Sequence, residues 1–179
     1  MSSGERQLAE RLEKKLDADC LLWYDVLVGP RQMRPDFVLA HPRHGLLLLE
    51  TRDWTIQTIQ RATRQMWEIV HAGPLKVVIN PLAQARHCSI QVVTALQRDP
   101  QLLRTTGADQ GKLAFACGFG VVFTAITRAQ FDAATLGDAI EPQHVICQDE
   151  MPESVDPAQF QQRLWQTLAG VSQGAMSPT

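Results

Sequence analysis

Three acidic side chains stand where a carboxylate is hard to place without a partner. Glu5 precedes Leu8, Ala9 and Leu12 by three, four and seven residues, which sets it on the apolar stripe of an N-terminal helix. Ser2, three residues before it, makes a capping box the alternative reading. Asp36 and Glu50 lie in two apolar runs, 33–40 and 46–52, separated by His41-Pro42-Arg43-His44-Gly45. That is the pattern of a β-hairpin with a Gly- and Pro-containing turn. If the turn is centred on Arg43, paired positions sum to 86 and Asp36 falls opposite Glu50. Their Cβ atoms would then be about 5 Å apart on one face of the ladder.

Like charges facing each other across a ladder destabilise it, so the pair calls for a cation. A divalent metal with hard oxygen ligands supplies one, and Mg²⁺ commonly takes one or two carboxylates with waters and substrate phosphate. Glu50 shares its strand face with Leu46 and Leu48, so it should emerge where the core ends, and Arg52 projects from the same face. The same register sets Arg34 against Arg52, so either pairing stops near Pro35 or the turn is off-centre. A surface hairpin in which Arg34 and Arg52 neutralise Asp36 and Glu50 is the plainer alternative.

A further polar pair sits on a helix. Asn80-Pro81 reads as an N-cap followed by Pro at the first helical position. Gln84 and Arg86 then lie in the first turns, where the positive helix end and its free N–H groups suit a phosphate. A polar, solvent-facing first turn is the alternative. Net charge is −2, yet residues 29–104 carry +5 between segments of −2 and −5. A basic middle between acidic ends is a footprint for a polyanion, although ordinary solvated charges account for it too. Arg34, Arg43 and Arg86 from this stretch are the candidate phosphate contacts. Thirteen of the seventeen cations are Arg, so an Arg where Lys is usual is unsurprising in this chain.

These residues must be carried by a fold. The pattern predicts a helix over 4–16, a strand over 20–28, the hairpin, and further short strands within 54–79. A helix follows to about residue 98, then a buried strand over 115–124, a short helix over 128–134 and a strand over 144–147. A final helix opens at Asp156-Pro157 with Gln159 and buries Phe160, Leu164, Trp165 and Leu168. The order implies a single α/β domain over 1–169, a mixed sheet flanked by helices, with 170–179 as a flexible tail or linker stub.

Apolar residues at 45% and charged residues at 20% exclude a disordered or fibrous chain. No apolar run, 46–49 included, is long enough for a membrane span, and the N-terminus has no apolar signal region. Four scattered cysteines fit neither a zinc site nor a disulfide framework and suit the cytoplasm. Asp149, Glu150 and Glu153 read as surface caps. The four tryptophans read as core or rim packing; stacking of Trp54, beside Glu50, on a base is the alternative for that one.

Pro35-Asp36 followed by Glu50-Thr51-Arg52 resembles the PD-(D/E)xK pattern of the restriction-endonuclease-like superfamily. The wider sequence resembles the NERD (nuclease-related) domain in Gly4-Glu5-Arg6, Pro35-Asp36-Phe37, the turn from His41 to Leu47, Glu50 to Trp54 and Asn80 to Arg86. The likeness extends through Gly118 to Phe123, Ile126-Thr127-Arg128, Gln130-Phe131 and Val145 to Met151, and is greatest to the segment preceding the motor of UvrD-like superfamily 1 helicases. The resemblance implies a restriction-endonuclease-like fold cleaving DNA phosphodiesters with Mg²⁺ or Mn²⁺, accessory to a helicase motor C-terminal to this segment. It implies Asp36 and Glu50 as metal ligands, Glu5 and Gln84 as further site residues, and Arg52 where the family has lysine. Arginine keeps the charge and can clamp a phosphate, but its pKa is too high for it to act as a base. A weakened nuclease fold that binds DNA or docks a helicase is therefore the second expectation.

Overall fold

The computed structural model describes residues 1–29 and 32–169; the expected tail at 170–179 lies outside them. Helix α1 (Ser3–Lys15) is followed by strands β1 (Leu21–Tyr24), β2 (Phe37–His41) and β3 (Gly45–Arg52), which form an antiparallel meander. Strands β4 (Ile59–Ala62), β5 (Met66–Ile69) and β6 (Lys76–Ile79) come next, then helix α2 (Pro81–Leu96). Strand β7 (Cys117–Phe123), helix α3 (Arg128–Ala133), strand β8 (Val145–Ile146) and helix α4 (Pro157–Ala169) complete the chain.

The main sheet has the order β1-β2-β3-β7-β8, with β7 parallel to β3 and β8 parallel to β7. The expected α/β architecture with a mixed sheet between helices is present, and the strands of 59–79 form a separate antiparallel sheet, β4-β5-β6. Strand β3 lies in the middle and is buried along nearly its whole length. Its residues divide by parity. Leu46 and Leu48 join Val38 and the inner face of α2, with Leu82, Ala85, Cys88 and Val92. Leu47 and Leu49 join Phe37, Leu39, Leu8 and Leu12 of α1, and Phe160 and Leu164 of α4. Each such leucine contributes about 2 kcal/mol by leaving water, so slipping β3 by one residue would exchange two filled cores.

The hairpin register is the one expected: Phe37 pairs with Leu49 and His41 with Gly45. Gly45 is required there, because its φ is +96° and a side chain would run into the Ala116 carbonyl. The expected strand over 20–28 stops at Tyr24, since Asp25 turns the chain with φ +55°. Strand β2 begins at Phe37 rather than Met33, because Val28 and Met33 pair with each other in a small loop and Pro35 has no N–H for the ladder. The clash of Arg34 with Arg52 therefore never arises.

Candidate metal and phosphate site

Asp36 and Glu50 leave the hairpin on the α2 face, at the end where β3 and β7 both terminate. Thr51 N–H donates to Asp36 Oδ2 at 2.7 Å, which fixes this carboxylate just beyond the last ladder pair. Glu50, only 1% exposed, accepts from Gln84 Nε2 at 3.1 Å and from the Cys88 thiol at 3.9 Å. Gln84 is delivered by the first turn of α2, where the Asn80 side chain caps Leu82 N–H as expected. Asn80 also donates to the Thr63 and Ala139 carbonyls, tying the helix start to the loops around it.

Arg52 sits between the acids. Its Nη1 lies 3.3 Å from Glu50 Oε2 and 3.7 Å from Asp36 Oδ2, and donates to the Thr51 carbonyl at 2.6 Å. Its Nη2 donates to Gln84 Oε1 at 2.9 Å and to the same Glu50 Oε2 at 3.3 Å. The guanidinium lies over the Trp54 ring, 5.5 Å from its centroid. Trp54 is buried against Trp67, itself stacked on Phe123, so it is a floor for Arg52 and is not free to stack on a base.

Burial pushes the Glu50 carboxyl up to about 7, the Asp36 charge adds to this, and Arg52 only partly offsets it. Asp36 is also raised, first by burial and then by Glu5 and Asp25, against the Thr51 N–H and Arg52. Burial and the neighbouring carboxylates push Cys88 up to about 11, so it stays a thiol and a proton donor.

For Glu5 the capping box with Ser2 is present, and its charge acts on both Asp36 and Glu50. Gly4 allows this approach, because a side chain there would collide with Thr124 just after β7. Asp36, Glu50, Arg52 and Gln84 are thus brought into contact, with Glu5 near enough for its charge to raise both carboxyls. Arg34 points outward and pairs with Asp25 at 3.2 Å, on the rim. Arg86 is exposed on α2. Arg43 is placed in the hairpin turn, at the far end of β2 and β3 from the carboxylates, so it is not part of this site.

Two neighbours escaped the sequence. Cys88 follows Gln84 by one helical turn, a spacing that puts both on one face and would have revealed it. Asp25 comes beside Asp36, whose carbonyl accepts its N–H at 3.4 Å, only because of the β1–β2 register, which no local signal encodes. Glu150 caps as expected, accepting from Cys147 N–H at 2.7 Å, and it also accepts from Arg128 and Arg163, at 2.9 and 3.2 Å for the closest contact of each. Both arginines also donate to the Val145 carbonyl, which clamps β8 to α3 and α4.

Two carboxylates with hard oxygens on one face, already held against a cation, form a donor set suited to Mg²⁺ or Mn²⁺ with water and phosphate filling the remaining positions. Among the described residues no group of three or more His, Cys, Asp or Glu side chains is arranged to hold a metal. Only Asp36 and Glu50 would contribute first contacts to such an ion.

The profile of the nuclease-related domain matches residues 2–110. The chain belongs to the nuclease-related domain family. The match takes in α1, the hairpin, the small sheet and α2, hence every residue of the site; β7, α3, β8 and α4 lie beyond it. No curated protein and no solved structure matches the chain. No helix among the described residues is long and apolar enough to cross a membrane.

Proposed function

We propose that this domain is a metal-dependent nuclease that hydrolyses DNA phosphodiesters and serves a helicase motor in DNA processing or repair in the cytoplasm. The reading rests on one observation above the others. Asp36 Oδ2 and Glu50 Oε2 converge within 3.7 Å of a single Arg52 nitrogen, at the end of the central strand β3 reached by the first turn of α2. Asp36 and Glu50 would hold Mg²⁺ or Mn²⁺. The ion would supply an acidified water and polarise the phosphoryl oxygen.

The chain's own residues do the rest. Thr51 N–H holds the Asp36 carboxylate in place. Gln84, hydrogen-bonded to both Glu50 and Arg52, orients the pair and can turn its amide to the attacking water. Arg52 and the amide end of α2 carry the charge that builds on the phosphate. Arg34 and Arg86 flank the site as contacts to neighbouring phosphates. Glu5 adds negative charge beside the carboxylates, which favours a bound cation.

Cleavage of single- and double-stranded DNA with Mg²⁺ or Mn²⁺ tests the reading. The wild type should cut, and Glu50→Ala should lose about 100-fold or more of the rate. Equal rates in the two proteins, or no cutting by either the wild type or Arg52→Lys, would refute it. A second reading is favoured by the position of Arg52, whose Nη1 stands between the two acids. In that reading the site is a weakened nuclease that binds DNA or docks the motor, and cutting would appear only in Arg52→Lys.

A further inference from the structure

We infer that Arg52 is a latch: it occupies the cation position of the Asp36–Glu50 pair and leaves it for a substrate phosphate, so that metal binding waits for nucleic acid. This inference rests on the metal-dependent reading above and concerns how that site is regulated.

The guanidinium stands where a divalent ion would have to be. Its Nη1 lies 3.3 Å from Glu50 Oε2 and 3.7 Å from Asp36 Oδ2, within ion-pair distance of both carboxylates at once. An ion bound to both would overlap it, so the arginine must withdraw first. Its grip on the acids is nevertheless poor. Both Nη1 and Nη2 converge on one oxygen of Glu50, each at 3.3 Å, instead of taking the two oxygens in parallel. Charge-assisted N–H···O bonds in good geometry run near 2.7–2.9 Å. The short bonds go to neutral acceptors, the Thr51 carbonyl at 2.6 Å and Gln84 Oε1 at 2.9 Å.

A phosphodiester offers what Glu50 withholds, two oxygens spaced for the guanidinium fork. The side chain is 17% exposed, so it is reachable from the solvent side without unfolding its surroundings. Trp54 forms a flat floor along which the guanidinium can slide while keeping its ring contact. Once Arg52 turns to a phosphate, Glu50 and Asp36 lose their counter-ion, and their mutual repulsion favours a divalent ion in its place. Gln84 loses its Arg52 contact in the same step and is freed toward water. Nucleic acid and metal therefore bind with positive coupling, and by linkage each must strengthen the other equally.

Arg52→Lys separates the latch from its charge. Lysine keeps the positive charge but carries one ammonium in place of the two-pronged group that spans Glu50, Asp36, Gln84 and the Thr51 carbonyl. Mn²⁺ binding to the full chain, followed by calorimetry and by the spin resonance of the free ion, gives the readout. Wild type, Arg52→Lys and Glu50→Gln are compared at neutral pH, with and without a short phosphorothioate oligonucleotide. Wild type should bind Mn²⁺ weakly alone and about tenfold more tightly with the oligonucleotide, while Arg52→Lys should bind tightly without it and gain about twofold or less.

Equal Mn²⁺ affinity of wild type and Arg52→Lys, with no gain from the oligonucleotide, would overturn the latch while leaving the metal site standing, provided Glu50→Gln abolishes the binding. Absence of any Mn²⁺ binding sensitive to Glu50→Gln would overturn the metal-dependent reading itself, and the latch with it. Circular dichroism reports whether Arg52→Lys folds. If it does not, the wild-type comparison with and without oligonucleotide decides alone.

Discussion

Replacing Glu50 with Gln should stabilise the protein above neutral pH and leave it unchanged in acid. The carboxyl ionises at about 4.5 in the unfolded chain and at about 7 in the fold, raised by burial and by Asp36. Below 4.5 the group is protonated in both states and costs nothing. Between 4.5 and 7 the unfolded state sheds its proton while the fold resists, so wild-type stability falls; above 7 the deficit is constant. The interval corresponds to about 3 kcal/mol. In a chain of 179 residues each kcal/mol moves the melting temperature by about 2–4 °C, so Glu50→Gln should melt roughly 6–12 °C above wild type in mild base. Gln keeps the volume and the polarity toward Gln84 and Arg52, and removing the charge also relieves Asp36. Thermal melts of the two proteins across the pH range are the assay. A bound divalent ion should erase much of the difference by stabilising the wild type alone. A melting difference that does not vary with pH would refute the reasoning, because it would mean that Glu50 ionises in the fold as it does in water.

Glu150 should behave in the opposite sense. Burial alone would raise its pKa, but hydrogen bonds from Arg128, Cys147 N–H and Arg163 outweigh this and hold it below its usual value. Its stabilising contribution is complete above 4.5 and drains away as pH falls through the lower folded value. Glu150→Gln should cost about 2 kcal/mol near neutrality by leaving two partly exposed arginines beside an uncharged partner, and chemical denaturation would register it. Arg43→Ala should leave DNA affinity unchanged, because the hairpin turn lies away from the carboxylates, whereas Arg86→Ala should weaken it and flatten its salt dependence by about one phosphate contact. Titrations at two salt concentrations distinguish the two variants.

The order of the elements and the shared face of the two acids were legible in residue spacing. The five residues from His41 to Gly45 fixed the turn, and the parity of the flanking leucines fixed which face each acid takes. The caps at Ser2, Asn80 and Asp156 were equally legible, because a cap is a contact between residues two or three apart. That Arg52 stands where a lysine is usual came from the resemblance and not from spacing. The tertiary structure alone decided what that arginine does. Its contacts with Gln84 and Trp54, the arrival of Cys88 and Asp25, and the clamp of Glu150 on two arginines depend on how separate elements pack. Short-range chemistry is written in spacing along the chain; distances between helix, hairpin and loop are set by the filling of two cores at once, and no local pattern contains them.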